Sequence, residues 1–182
     1  MLLRELEQDE LARVWTIDRR EVVENVYHLE DGELVLRPEH YEIQGWPPGE
    51  REWYTPILQD CIDRGGVFLG AFEEDELIGA VVLDSKLIGS GKDQLQLKFL
   101  YVSQNHRGSG LGRTLFEQAA KRARELNAGW LYISATPSQN TVDFYRHLGC
   151  MVADDVDSAL YALEPEDIHM TYRIPPAPLD TT

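Results

Sequence analysis

Residues 95–102, LQLKFLYV, alternate Leu95, Leu97 and Phe99 with Gln96 and Lys98 and end in a dense apolar run. A period of two puts successive side chains on opposite faces of a sheet, so this segment reads as a strand. VFLGAFE (67–73) and LIGAVVLDS (77–85) read the same way, joined by the acidic turn EDE. Asp31-Gly32 stands between Tyr27/Leu29 and Leu34/Leu36, the pattern of a β-hairpin. The period changes after residue 113. Leu115, Phe116, Ala119, Ala123 and Leu126 recur at helical spacing, with Gly129 placed to end the helix. WLYISAT (130–136) is a further strand. SQNTVDFYRHLG (138–149) is a short helix capped by Ser138, and CMVADDV and DIHMTYRI are two last strands. Near the N-terminus, Leu6, Leu11 and Val14 predict an amphipathic helix over 5–14, extended through WTIDRREVVENVY. Thr55-Pro56 reads as a helix start, with Ile57, Leu58, Cys61 and Ile62 on its apolar face and Gly65-Gly66 at its end. Residues 175–182, PPAPLDTT, read as a disordered tail.

The order is helices, an antiparallel strand group, then strand–helix–strand–helix–strands. The central strand–helix–strand needs a crossover and predicts one parallel pair. The class is therefore α/β of the α+β type, a mixed and mostly antiparallel sheet with helices packed on it. A length of 182 residues and 43% hydrophobic content fit one packed domain, over 1–174.

Charge narrows the partners. Lys and Arg total 17 against 32 Asp and Glu, a formal net charge of −15. That argues against nucleic acid, whose phosphates need basic contacts, and against an anionic membrane surface. A cationic substrate fits it. No apolar run approaches the ~18–20 residues that cross a bilayer, and the charged N-terminus lacks the apolar centre of a secretory signal. The expected location is cytoplasmic. Cys61 and Cys150 lack a C-x-x-C spacing and read as reduced, partly buried thiols. His40, His106, His147 and His169 show no metal-ligand spacing, so no metal is expected.

The candidate chemistry lies in NHRGSGLGRTLF (105–116). Gly108, Gly110 and Gly112 alternate between a predicted strand and a predicted helix, flanked by Arg107 and Arg113. The dinucleotide pattern G-x-G-x-x-G fails, because Arg113 and Leu115 stand where the third glycine belongs. GSGKDQ (89–94) fails as a P-loop, with Lys86 at the first glycine position and Asp93 at the Ser/Thr position. The physical reading survives both rejections. The first N–H groups of a helix lack intrahelical partners and carry a partial positive charge. Glycines let that backbone approach a bulky anion such as a diphosphate.

RGSGLG (Arg107 to Gly112) matches the Q/R-x-x-G-x-G/A motif and resembles the GNAT acetyltransferase superfamily. The preceding FLYVSQNHRGSG is similar to that family's fourth strand and loop, and SQNTVDFYRHLGC to its C-terminal helix motif. The likeness runs over roughly 67–174. Residues 1–66 show little of it and would form the variable, acceptor-binding part. The resemblance implies a sheet whose central parallel pair splays apart, with helices on both faces and acetyl-coenzyme A in the gap as co-substrate. The backbone of Gly108, Ser109, Gly110, Leu111, Gly112, Arg113 and Thr114 would hold the diphosphate, with Arg107 and Arg113 near it. The backbone of Leu100, Tyr101 and Val102 would pair with the pantetheine arm, one N–H polarising the thioester carbonyl. Tyr145 would give the leaving thiolate its proton.

The sequence departs from the family pattern at two places. Ser138 stands where many members have asparagine, with Asn140 as a possible substitute in contacting the coenzyme arm. The strand that carries a glutamate base in some members shows Gln94, Gln96 and Lys98 instead. Glu21, Glu24, His28 and Glu73 are then the candidate bases. Trp15, Tyr27, Trp46, Trp53 and Tyr54, among Asp18, Glu21 and Glu24, would wall an acceptor pocket for a cationic amine. The implied activity is N-acetylation of a small-molecule or peptide amine. A non-catalytic acyl-coenzyme A sensor, or transfer to a hydroxyl or of a longer acyl group, uses the same motif. Proteins of this kind commonly form homodimers.

Overall fold

A computed structural model describes residues 1–176. The expected disordered tail falls mainly on 177–182, outside the described residues. A seven-stranded sheet runs in the order β1 (Leu2–Glu5), β4 (Val67–Glu73), β5 (Glu76–Ile88), β6 (Gln94–Val102), β7 (Trp130–Ala135), β9 (Ile168–Arg173), β8 (Met151–Val152). All its pairings are antiparallel except β6–β7, as the crossover through α2 (Leu111–Glu125) requires. Residues 77–84 in β5 are all buried, because helices cover both faces of this central strand. Val81 and Leu83 join a core with Leu115 and Phe116 of α2 and Val142 of α3 (Gln139–His147). Ala80 and Val82 join a second core with Leu11 and Val14 of the 3₁₀ segment Gln8–Thr16 and Leu58 and Cys61 of α1 (Glu50–Asp63).

The hairpin at Asp31-Gly32 forms between β2 (Glu21–Glu30) and β3 (Glu33–Ile43) as a separate two-stranded sheet. Both turn residues have positive φ, 50° and 83°, which matches the twist of the flanking strands. The hairpin is tied to the start of α3: the Tyr27 N–H donates to the Pro137 carbonyl (2.8 Å), and the Tyr27 hydroxyl donates to Asp143 Oδ1 (2.8 Å).

Several boundaries differ from the sequence reading. The helix expected to continue through 15–27 stops at Thr16, and 21–30 is β2. Val22, Val23 and Val26 are β-branched and favour a pleated surface, and β3 supplies their backbone partners. The helix expected to start at Thr55 starts at Glu50, and Pro56 sits inside it. Gly49, at φ 82°, supplies the left-handed residue ahead of that start. The expected stop at Gly129 is made by Asn127, at φ 64°. The strand read over CMVADDV is reduced to Met151–Val152. A six-residue helix, α4 (Ser158–Leu163), follows it, with the Asp157 carboxylate accepting from the Ala159 and Leu160 N–H groups.

Candidate functional site

β6 and β7 pair over only three positions, Gln94–Trp130, Leu95–Leu131 and Gln96–Tyr132. Both strands continue past Gln96 and Tyr132 without pairing to each other, so the middle of the sheet opens into a cleft. On its other side β6 stays paired to β5 as far as Val102, with an irregularity at Lys98, where Val82 faces Phe99 and Leu83 faces Leu97. The Ser103 N–H donates to the Ile78 carbonyl on β5 (2.8 Å). Alternation along a strand then directs the Tyr101 N–H toward β5 and the Leu100 and Val102 N–H groups into the gap. The sequence reading offered the backbone of all three; all three residues line the cleft, with the Tyr101 N–H turned to β5.

The cleft holds about 610 Å³ and runs from this gap to the mouth of α2. Gly108 and Gly110 have φ of 75° and 88°, left-handed backbone that a side chain disfavours. They turn the chain from β6 into the helix. No backbone acceptor meets the N–H groups of 108–113 among the described residues. Thr114 does not belong to this open set. Its N–H donates to the Gly110 carbonyl (3.0 Å), the first bond inside the helix, and its hydroxyl points to the same carbonyl. Leu111 offers only its amide, because its side chain is buried in the core. The Ser109 hydroxyl donates to the His106 carbonyl (2.6 Å). Gly112 has a packing reason: a Cβ there would stand 3.2 Å from the Phe144 ring, which forms the cleft wall.

Both arginines line the cleft, with different partners. Arg113 lines the cleft and makes a loose, exposed pair with Glu117 at 3.7 Å. The guanidinium of Arg107 is committed to the carbonyls of Val102 (3.0 Å), Arg20 (3.0 Å) and Asp18 (3.4 Å). It fastens the 18–20 segment to the end of β6, a role the sequence reading did not foresee.

Tyr145 lines the cleft and is 6% exposed. Burial pushes its phenol well above the usual tyrosine range, with small additions from Cys150, Tyr101 and Asp167. Its hydroxyl meets no hydrogen-bond partner among the described residues. Phe144 also lines the cleft. Ser138 is fully buried and accepts from the Thr141 N–H, so it caps α3 and does not reach the cleft. Asn140 does reach it, and donates to Glu21 Oε1 (2.9 Å).

Among the candidate bases only Glu21 faces the cleft. Glu24 pairs with His40 in solvent, Glu73 pairs with His106, and His28 is exposed on the hairpin. The expected aromatic wall is divided. Trp15, Trp46 and Tyr54 pack with Phe99 and Tyr101 on the α1 face. Tyr27 goes to the opposite core, and Trp53 is 51% exposed. The Arg19 guanidinium stands 5.0 Å from the Trp46 ring and 5.3 Å from the Tyr101 ring, pairs with Glu50 (3.3 Å), and lines the cleft. Sequence reading missed Arg19 because only the fold brings it to Tyr101. Both cysteines are free and buried, and burial pushes each thiol up to about 12.

The acetyltransferase (GNAT) family model matches residues 34–150. The streptothricin acetyltransferase of Streptomyces lavendulae is 36% identical over 122 residues, covering 66% of this chain and 61% of that protein. The chain thus matches about three-fifths of the length of that relative. Among solved structures, a nourseothricin acetyltransferase superposes with a TM-score of 0.72 at 22% identity, covering 96% of this chain and 98% of the other. The PaiA N-acetyltransferase of Thermoplasma acidophilum, solved with coenzyme A, gives 0.62 at 20% identity, covering 94% and 98%. These two likenesses concern the fold, which is the splayed sheet with helices on both faces described above. The family model spans well over half of the sequence, its glycine loop included, and the chain belongs to the acetyltransferase (GNAT) family.

Proposed function

We propose that the chain transfers acetyl from acetyl-coenzyme A to a primary amine of a small, cationic molecule or a peptide by direct attack on the thioester. The observation that carries this reading is the joining of two sets of unpaired backbone N–H groups in one cleft: those of 108–113 at the mouth of α2 and those of Leu100 and Val102 on the open side of β6. The first set, with Arg113 beside it, suits a diphosphate. The second is spaced to pair with an extended pantetheine amide and to accept the charge that develops on a thioester oxygen.

Transfer needs a neutral amine, a polarised carbonyl and a proton for the leaving sulfur. Tyr145 is placed for the last. Its raised pKa keeps the phenol protonated at neutral pH, and its hydroxyl has no protein partner to compete for. The net charge of −15 and the relative named for streptothricin both support a cationic amine acceptor.

Thiol release from acetyl-coenzyme A, measured across polyamines, aminoglycosides, amino acids and peptides, tests the activity. Release with at least one amine is expected. Tight coenzyme binding without release for any acceptor favours the non-catalytic sensor instead. Gly110→Glu places a carboxylate among the open amides and is expected to abolish acetyl-coenzyme A binding while the protein stays folded. Unchanged affinity overturns the diphosphate assignment.

A further inference from the structure

Three carboxyls that this reading does not use stand on the side of the sheet away from α2 and α3. Glu50 comes from α1, and Glu164 and Asp167 come from the link between α4 and β9. The register places that link against the cleft. Ala135 pairs with Ile168 and Ser134 with His169, so Asp167 enters at the level of Thr136, and Ser134, Ala135 and Thr136 all line the cleft. Ile168 and Met170 point into the core shared with α2, which leaves the alternate positions for the opposite face.

The link is fixed by a buried relay. The Asp157 N–H donates to the Tyr132 hydroxyl oxygen (3.1 Å), Tyr132 Oη stands 2.8 Å from His169 Nδ1, and His169 Nε2 stands 3.1 Å from the Glu164 carbonyl. A carbonyl only accepts, so Nε2 is the donor in this last contact. Both ends of α4 are thereby tied to β7 and β9.

The groups around Asp167 leave it without a counter-ion. Glu164 is on its own link and His169 on β9. Tyr145 from α3 and Tyr101 from β6 are near enough to feel its charge, while Lys98 of β6 and Glu50 and Tyr54 of α1 lie near Glu164. Lys98 is committed to Asp84 (3.2 Å) and Gln96 (2.9 Å), and Arg19 to Glu50 (3.3 Å). No cation pairs with Glu164 or Asp167 among the described residues. Burial, and then the charge of Glu164, push Asp167 up to about 7, and burial raises Glu164 and Glu50. Burial is the main cause of the raised phenols of Tyr145 and Tyr101, both of which line the cleft, and Asp167 adds to each. Two polar atoms on the same wall are also unpartnered. Ser134 Oγ and Arg19 Nε are buried and meet no hydrogen-bond partner, although the Ser134 hydroxyl is near enough to Glu164 to oppose the rise in its pKa.

We propose that Asp167 is the group that takes the proton from the acceptor ammonium, and that Glu164 beside it draws a cationic acceptor to this wall of the cleft. The proposal rests on the acetyl-transfer reading. Asp167, as carboxylate, removes one proton from R–NH₃⁺. The neutral nitrogen forms a bond to the thioester carbon. The C–S bond then breaks and its electron pair leaves with sulfur, which takes the Tyr145 proton. The second nitrogen proton restores Tyr145, and Asp167 returns its own proton to solvent. The reaction yields an amide, a thiol and one proton.

Asp167→Asn keeps the shape and removes the base. Thiol release with spermidine, measured from about pH 6 to about pH 9, is expected to show kcat/KM of the wild type rising through an apparent pKa near 7. The variant is expected to lose that limb and about 100-fold in kcat/KM above it, with acetyl-coenzyme A affinity unchanged by calorimetry. A variant that keeps the limb, or loses less than about threefold, overturns the proposal while acetyl transfer stands. Spermidine binding to the coenzyme A-loaded protein is the second measurement, with Glu164→Gln alongside, and both variants are expected to weaken it. If the wild type releases no thiol with any amine, the acetyl-transfer reading fails. In that event, undiminished spermidine binding in both variants also overturns the acidic wall.

Discussion

Gly112 lies directly beneath the ring of Phe144: a Cβ on this glycine would stand 3.2 Å from Cε2 and 3.3 Å from Cζ. The helix mouth and the cleft wall are therefore in contact, and the glycine sets how closely they approach. Gly112→Ala requires the ring to shift by a few tenths of an ångström, and Gly112→Val requires more. We expect Ala to raise the KM for acetyl-coenzyme A modestly, and Val to raise it further and cost about 1–3 kcal/mol of stability. Steady-state kinetics and urea unfolding of the two variants check this ordering. Equal effects of the two mean that Phe144 yields freely.

Tyr145→Phe removes one oxygen from a side chain whose ring packs 5.1 Å from Phe144 and 6.2 Å from Phe116. The packing is retained, and the hydroxyl makes no hydrogen bond among the described residues. Stability should therefore change by less than about 1 kcal/mol, while kcat falls about 10²-fold and acetyl-coenzyme A affinity holds. Turnover at the wild-type level assigns protonation of the sulfur to water.

Arg107 joins the 18–20 segment to β6 through three carbonyls, so its removal is a structural change at the rim of the cleft. Arg107→Lys keeps the charge and loses the planar fork that reaches all three. We expect both Arg107→Lys and Arg107→Ala to destabilise the protein by about 1–2 kcal/mol. If charge toward the coenzyme were the main role, Lys would restore binding and Ala would not. Calorimetry of the two variants with acetyl-coenzyme A decides it.

Asp84 is the charged anchor of the irregular end of β5. It accepts from Arg64 (2.7 Å) and from the backbone N–H groups of Ser85 (2.7 Å) and Lys86 (3.1 Å), and pairs with Lys98 (3.2 Å). Burial works against its charge. Arg64, the Lys86 amide and Lys98 outweigh burial and hold its pKa at about 2. The folded value lies below the unfolded one of about 3.9, so this contribution to stability is full above about pH 4 and is lost as the pH falls toward 2. It is on the order of 2 kcal/mol. Asp84→Asn should cost about 3 kcal/mol at neutral pH, since Arg64 and Lys98 lose their partner, and should flatten the acid limb. Urea unfolding at stepped pH values measures both effects.

The order of elements from residue 67 to about 150, the single parallel pair and the glycine loop were legible because each has a local signature, whereas α4 was not read. Leu95, Leu97 and Phe99 keep period two, Leu115 to Ala123 keep the helical period, and Gly108 and Gly110 stand where the backbone turns left-handed. The N-terminal region was harder. EVVENVY has apolar positions compatible with either period, and the partner that decides, β3, lies beyond the turn. Pro56 read as a helix start, because proline within a helix is uncommon. In the candidate site, Tyr145 and the loop amides were reachable by motif. Arg19, which lines the cleft, was not, and neither was Asp167, which the β7–β9 register sets level with Thr136; both positions depend on the fold and leave no mark in nearby sequence.

The short pairing of β6 with β7 has a consequence for the protein as a folded object. Along the strand order, β6 and β7 join a four-strand half to a three-strand half through three residue pairs among the described residues, with the Asp93 carbonyl accepting from Gly129 and Trp130 at their base. On the proposed reading, a co-substrate lying in the splay supplies rungs that the chain lacks, and so acts as a splint across this short seam. Bound at a free concentration of about 100 times its Kd, a ligand of the folded state adds about 2.7 kcal/mol. If that reading holds, empty and loaded molecules differ in how readily the sheet parts along one line, and the supply of co-substrate adjusts the stability of the fold.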